Sequence, residues 1–268
     1  MLTIGFVNQK GGVGKTTTAV NLAACLAAAG KKTLLVDADP QANATSALQG
    51  DREQVTTYRL LLEPDQAVDA PQETAVDNLK LVASSPDLYG AELELLELDE
   101  REYRLKKAIA RIKYQYEYVL IDAPPSLGLL TLNVLAACDQ VIIPVQSEYY
   151  ALEGLSMLMQ TIDRVREGEI NPNLEIMGIV MTMFDNRLNI AQQVDSNVRE
   201  YYGDKVFQTQ IQRSVRLAEA PSHGKPIILY DFRSTGTRNY ISLAEEVIRV
   251  AEKTGTGKGA GSPTPPEK

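Results

Sequence analysis

Asn8-Gln9-Lys10-Gly11-Gly12-Val13-Gly14-Lys15-Thr16-Thr17 follows directly on the apolar run Leu2–Val7. A glycine-rich turn between a buried strand and a helix exposes consecutive backbone N–H groups. Together with the positive end of the helix they cradle phosphates. Gly11, Gly12, Val13, Gly14, Lys15, Thr16 and Thr17 then line the anion. Lys15 reaches the β- and γ-phosphates and the Thr16 hydroxyl ligates Mg²⁺. The common pattern G-x-x-x-x-G-K-[ST] asks for glycine at position 9. This chain has Gln9 there, followed by a second lysine, Lys10.

Outward from the loop, apolar runs alternate with helical periodicity. Strands are expected at Leu2–Val7, Thr33–Val36, Leu79–Ala83, Tyr118–Ile121, Gln140–Val145, Ile176–Thr182 and Val206–Thr209. Helices are expected at Lys15–Ala29, Glu92–Leu98, Glu102–Tyr114, Leu129–Ala137, Leu152–Arg166, Ala191–Tyr202 and Arg238–Lys253. Continuous Val/Ile/Leu strands are buried on both faces, which means parallel strands in βαβ units. Gly30 falls where a helix-terminating glycine belongs. Residues 48–77 read as a surface excursion with a short helix around Tyr58–Leu62. The fold class is α/β: a single domain, residues 1–253, with a mostly parallel twisted sheet flanked by helices on both faces. Residues 254–268 are Gly, Pro, Ser, Thr and Lys with almost nothing apolar, and read as a disordered tail.

Composition narrows the classes. The 268 residues are 44% hydrophobic, with no Trp and 4 Phe, so the core is aliphatic. The net charge of −8 rules out a chain-wide basic footprint, although a local patch can still hold nucleic acid. Cys25 and Cys138 lack disulfide or metal spacing and read as buried thiols of a reducing cytosol. No signal peptide and no run approaching ~18 apolar residues is present. A soluble, cytoplasmic protein is expected.

Three carboxylates follow the loop. Asp37 and Asp39 close the second strand in Leu34-Leu35-Val36-Asp37-Ala38-Asp39-Pro40, and Asp122 closes another in Val119-Leu120-Ile121-Asp122. Ligands bind outside such strand ends. A carboxylate there holds Mg²⁺, commonly through water. Strand-end Asp also caps helices and forms turns.

Lys10-Gly11-Gly12-Val13-Gly14-Lys15-Thr16-Thr17 resembles the deviant Walker A box of the ParA/MinD ATPases. Asp37-Ala38-Asp39-Pro40-Gln41-Ala42-Asn43-Ala44-Thr45-Ser46 is similar to the next box of ParA/Soj partitioning proteins, and Asp122-Ala123-Pro124-Pro125-Ser126 to their Walker B. Pro144–Gly154 and Val215–Pro226 are very close to the Soj subgroup. The likeness runs from about residue 2 to 250.

The resemblance implies a P-loop ATPase using ATP and Mg²⁺. Lys10 would cross into a partner's site, so that two subunits sandwich two ATP molecules. Lys10, Lys15 and Asp39 would be catalytic, with Asp39 orienting the attacking water. Thr16 and Asp122 would hold the metal, and Asp37 would have a structural role or act behind them. It further implies sequence-independent DNA binding by the ATP dimer through Arg187, Arg213 and Arg216, a nucleoid location, and stimulation by a ParB/Spo0J-type partner.

Gln212 and Asp231-Phe232-Arg233 depart from the family pattern, which expects Pro before Arg213 and Asp-Pro-Arg at 231–233. His223 has a structural role in this reading. The alternatives are a MinD-like membrane-associated positioning ATPase, a redox relative of the nitrogenase iron protein and an amide-forming metabolic ATPase. The first needs an amphipathic C-terminal helix, and residues 254–268 lack an apolar face, so no membrane is expected. The second needs cysteines at the nucleotide switch. The third needs a further small-molecule pocket.

Overall fold

The aliphatic runs pair into one seven-stranded sheet in the computed structural model, which describes residues 1–148, 151–253 and 255. The strands are β1 (Leu2–Phe6), β2 (Thr33–Asp37), β3 (Gln72–Glu73), β4 (Leu79–Val82), β5 (Tyr118–Asp122), β6 (Gln140–Gln146) and β7 (Glu175–Thr182). Their order is β3-β4-β2-β5-β1-β6-β7. All neighbours are parallel except β3 and β4. The helices are α1 (Lys15–Ala28), α2 (Asn43–Ala47), α3 (Thr57–Leu62), α4 (Leu88–Leu95), α5 (Arg104–Ile112), α6 (Leu129–Ala137), α7 (Ala151–Glu167), α8 (Asn189–Tyr202), α9 (Val215–Glu219), α10 (Ile227–Tyr230) and α11 (Thr235–Lys253).

Successive strand residues point to opposite faces, and each face has its own core. Leu34, Val36, Val119, Ile121, Val141 and Ile143 pack towards α3–α8. Ile4, Phe6, Leu35, Leu120 and Ile142 pack against α1, α10 and α11. This is the sheet with helices on both faces that the continuous apolar strands require. Gly30 stops α1: its φ is +81°, its N–H donates to the Ala27 carbonyl, and the Lys31 N–H reaches back to Leu26. That pair of bonds is a Schellman motif.

Four differences from the sequence reading have local causes. Val206–Thr209 is not a strand and makes a single bridge, Val206 to Ile179. Glu246 of α11 takes the Gln208 and Thr209 N–H groups that a ladder would have used. β3 is two polar residues, too short for a periodic signal. α2 lies in the stretch after Asp39, where no periodicity marks a helix. α4 begins four residues before the expected Glu92, following Ser85-Pro86-Asp87. Residues 254–268, read as a tail, lie outside the described residues except for Gly255.

Candidate active site

β1 delivers the loop to the carboxyl edge of the sheet. Gly12 (φ +76°) and Gly14 (φ +83°) adopt the left-handed backbone that turns it into α1. No side chain caps the N-terminus of α1, so its first N–H groups face outward. Asn8 braces the entry: its amide donates to the Pro144 carbonyl at 2.8 Å and its oxygen accepts the Lys10 N–H at 3.0 Å. Thr182 of β7 donates to the Val13 carbonyl at 2.8 Å. The loop is thus tied to β6 and β7 before any ligand binds.

The two lysines are placed differently. Lys15 is buried, with its ammonium donating to the Lys10 carbonyl at 3.3 Å. Burial pulls its pKa down, and Asp122 and Asp39 pull it back up. Lys10 stands at the rim, 46% exposed, and its ammonium pairs with Glu148 at 2.5 Å. Gln9 donates to the Gly154 carbonyl of α7.

The carboxylates gather beneath. Asp37 and Asp122 are register partners on β2 and β5 and both are fully buried. Asp37 accepts the backbone N–H and the hydroxyl of Thr45, each at 2.7 Å. Burial still pushes its pKa up to about 6. Neither carboxylate oxygen of Asp122 has a hydrogen-bond partner among the described residues. Burial first, and then the Asp37 charge, push its pKa well above the ordinary range, while the Thr16 hydroxyl, close by but outside hydrogen-bond geometry, opposes them. Asp39 accepts the Gln41 N–H at 2.9 Å, its own carbonyl accepts from Ser84, and burial raises its pKa.

A cavity of about 240 Å³ opens beside the N-terminus of α1, lined by Gly14, Met183, Ile211, Arg213, Leu217 and Tyr240. It has the size and mixed lining of a seat for a planar base. Arg213 therefore stands at this cavity as well as among the arginines. Arg187 lies on the neighbouring loop, which is stitched to this segment by the Phe184 N–H to Ile211 and the Arg213 N–H to Phe184, and Arg216 lies in α9. Arg187, 84% exposed, is bidentate on Asp185, and its hydrogen bonds hold that carboxyl down at about 2. Arg216 pairs with Glu219 at 3.0 Å and Asp231 at 3.6 Å. His223 stacks on Tyr230.

Sequence reasoning missed four supporting residues: Asn8, Thr45, Ser84 and Asn21. Asn21 donates to the Thr17 carbonyl and accepts the Ile227 N–H, locking α1 to α10. Only Asn8 and Thr45 had a visible signal, as polar side chains just before the first box and inside the second.

A family model described as an AAA domain matches residues 1–176. Chromosome partitioning protein ParA of Myxococcus xanthus is 53% identical over 244 residues, covering 90% of this chain and 86% of its own. Chromosome-partitioning ATPase Soj of Treponema pallidum is 53% identical over 246 residues, covering 92% and 96%. The chain belongs to the ParA/Soj family. Among solved structures, cobyrinic acid a,c-diamide synthase of Mycobacterium smegmatis, with a bound ATP analogue and magnesium, superposes on this ParA/Soj chain with a TM-score of 0.82. It is 33% identical and covers 95% of this chain and 97% of its own. The residues of the ParA/Soj site fit those ligands: the buried Asp122 carboxylate, with no hydrogen-bond partner among the described residues and Thr16 nearby, suits a hydrated divalent cation. No helix among the described residues is long and apolar enough to cross a membrane.

Proposed function

We propose that this chain is a DNA-partitioning ATPase whose ATP-bound sandwich dimer holds DNA without sequence preference and hydrolyses ATP slowly to ADP and phosphate. Lys15 and the N-terminal N–H groups of α1 bind the phosphates. Thr16 and Asp122 hold Mg²⁺, with Asp37 behind them. Bound there, the cation offsets charge on the phosphate oxygens. Asp39, fixed by Gln41, orients the attacking water. Lys10 reaches the partner's nucleotide and offsets the charge that develops during transfer. Arg187, Arg213 and Arg216 contact DNA phosphates, and dimerisation doubles their number. A ParB/Spo0J-type partner stimulates hydrolysis, and the ATP form is cytoplasmic and nucleoid-associated.

The observation that carries this reading is the contrast between the lysines. Lys15 is buried in its own loop, while Lys10 is exposed and its ammonium points to Glu148 at the rim. A cation in that position is available to a second subunit. Identity supports partitioning over amide synthesis, at 53% against 33%. The alternative is a MinD-like membrane-associated positioning ATPase. Liposome pelleting separates the two readings.

The test is size-exclusion chromatography of the wild type and Asp39→Ala with ATP and with ADP, followed by DNA retention of each peak. Asp39→Ala with ATP should elute as a stable dimer that retains DNA. Monomers that ignore ATP and DNA would overturn the reading.

A further inference from the structure

Helix α4 has apolar residues on two faces. Leu88, Ala91 and Leu95 are buried in the core. Tyr89, Leu93 and Leu96 follow at i, i+4 and i+7 and are 60%, 73% and 54% exposed. That spacing makes one continuous stripe. A helix apolar on both faces belongs in an interior. Leu96 leads into a groove of about 450 Å³ along α6, floored by Leu129, Leu132 and Leu135, with exposed Leu127 at its mouth.

The segment that bears this surface is acidic, with Glu92, Glu94 and Glu100 bonded to Leu130, Tyr58 and Lys107 and with Arg101 and Glu102 lining the groove. Glu92, Glu94, Glu97, Asp99, Glu100 and Glu102 crowd into eleven positions that contain one cation, Arg101. A second copy would set two acidic rims against each other across a symmetric contact, and like charges repel. An anionic lipid surface is repelled for the same reason. Residues 254–268 have no leucine, isoleucine, valine or aromatic side chain to fill the stripe. The chemistry that fits both floor and rim is an amphipathic helix with leucine-type residues on one face and lysine or arginine at its edges.

The stripe is also wired to the hydrolytic carboxylate. The Gln41 side-chain amide donates to the Tyr89 hydroxyl, and the Gln41 backbone N–H donates to Asp39. A ligand seated on Tyr89 presses on the residue that fixes Asp39.

We propose that the outer face of α4 and the adjoining groove dock a basic amphipathic helix of a partner protein, and that Gln41 carries its effect to Asp39. This rests on the ATPase reading above and says where a stimulating partner acts.

The test uses a fluorescein-labelled synthetic helix with leucine at i, i+3, i+4 and i+7 and lysine elsewhere, beside a scrambled peptide of equal composition. Binding is read by anisotropy, and hydrolysis is read with DNA present. The patterned peptide should bind the wild-type chain about tenfold or more tighter than Leu93→Ser/Leu96→Ser, and raise hydrolysis several-fold. The scrambled peptide should not distinguish the two proteins. The double variant should keep its basal hydrolysis and its ATP-dependent DNA retention. Equal binding of the patterned peptide to both proteins would overturn the docking surface. Selective binding without a rise in hydrolysis would overturn the link through Gln41. A wild type that neither hydrolyses ATP nor retains DNA would instead overturn the reading beneath it.

Discussion

Asp37 and Asp122 stand side by side on adjacent strands, and the fold treats them unequally. Thr45 gives Asp37 two hydrogen bonds, while Asp122 has none among the described residues. A buried carboxylate without partners is costly until a cation arrives. Asp122→Asn should therefore raise the stability of the nucleotide-free chain at pH 8 by ~1–3 kcal/mol and abolish its further rise with Mg²⁺ and ATP. Thermal melts in EDTA and with the ligands check both parts. The pH dependence follows from Asp37, whose carboxyl is pushed up to about 6. Between about pH 4 and 6 the folded chain then binds more protons than the unfolded one, so stability falls as pH rises. Wild type should lose more stability across that window than Asp37→Asn, by roughly 3 kcal/mol at most. Denaturant midpoints on both sides of the window measure it. The sequence placed these carboxylates at strand ends, and the family resemblance gave Asp122 the metal and Asp37 a place behind it, without showing what sets the two apart. The difference lies in Thr45, eight residues beyond Asp37, and in a register contact between distant strands.

At the scale of elements, what was legible followed periodicity. β1, β2, β5 and α6 are long enough and apolar enough to declare themselves, and the loop between β1 and α1 fixed the topology around it. What was not legible depended on partners far along the chain. Val206–Thr209 looks like a strand until Glu246 is seen to take its N–H groups. The arginines were legible as residues and not as a cluster. Backbone bonds of Phe184 to Ile211 and Arg213 set the Arg187 loop beside Arg213, Arg216 follows in α9, and each of Arg187 and Arg216 already faces a carboxylate. Arg187→Glu should abolish retention of plasmid DNA while ATP-dependent dimerisation survives. Asp185→Ala should have the opposite effect. It frees an exposed arginine, and an exposed pair is worth ~0–1 kcal/mol, so DNA affinity should rise by up to about fivefold. Filter binding of the three proteins across a salt series tests this. Loss of DNA binding in Asp185→Ala would contradict the assignment.

At the scale of the molecule, the proposed function has one loop serve two sites. Lys15 is buried within its own loop, whereas Lys10 is parked at the rim on Glu148. The glutamine at position 9, a departure from the common phosphate-loop pattern, accompanies that second lysine and anchors the loop to α7. If Lys10 acts across the dimer, each active site combines Lys10 of one subunit with Asp39 of the other. Lys10→Ala and Asp39→Ala should each be inactive alone for different reasons. Mixed, they form heterodimers in which one site regains both groups. Steady-state ATP hydrolysis of an equimolar mixture with DNA should therefore recover to about one quarter of the wild-type rate, from half the dimers each carrying one working site of two. A mixture no more active than the sum of the separate variants would contradict the account.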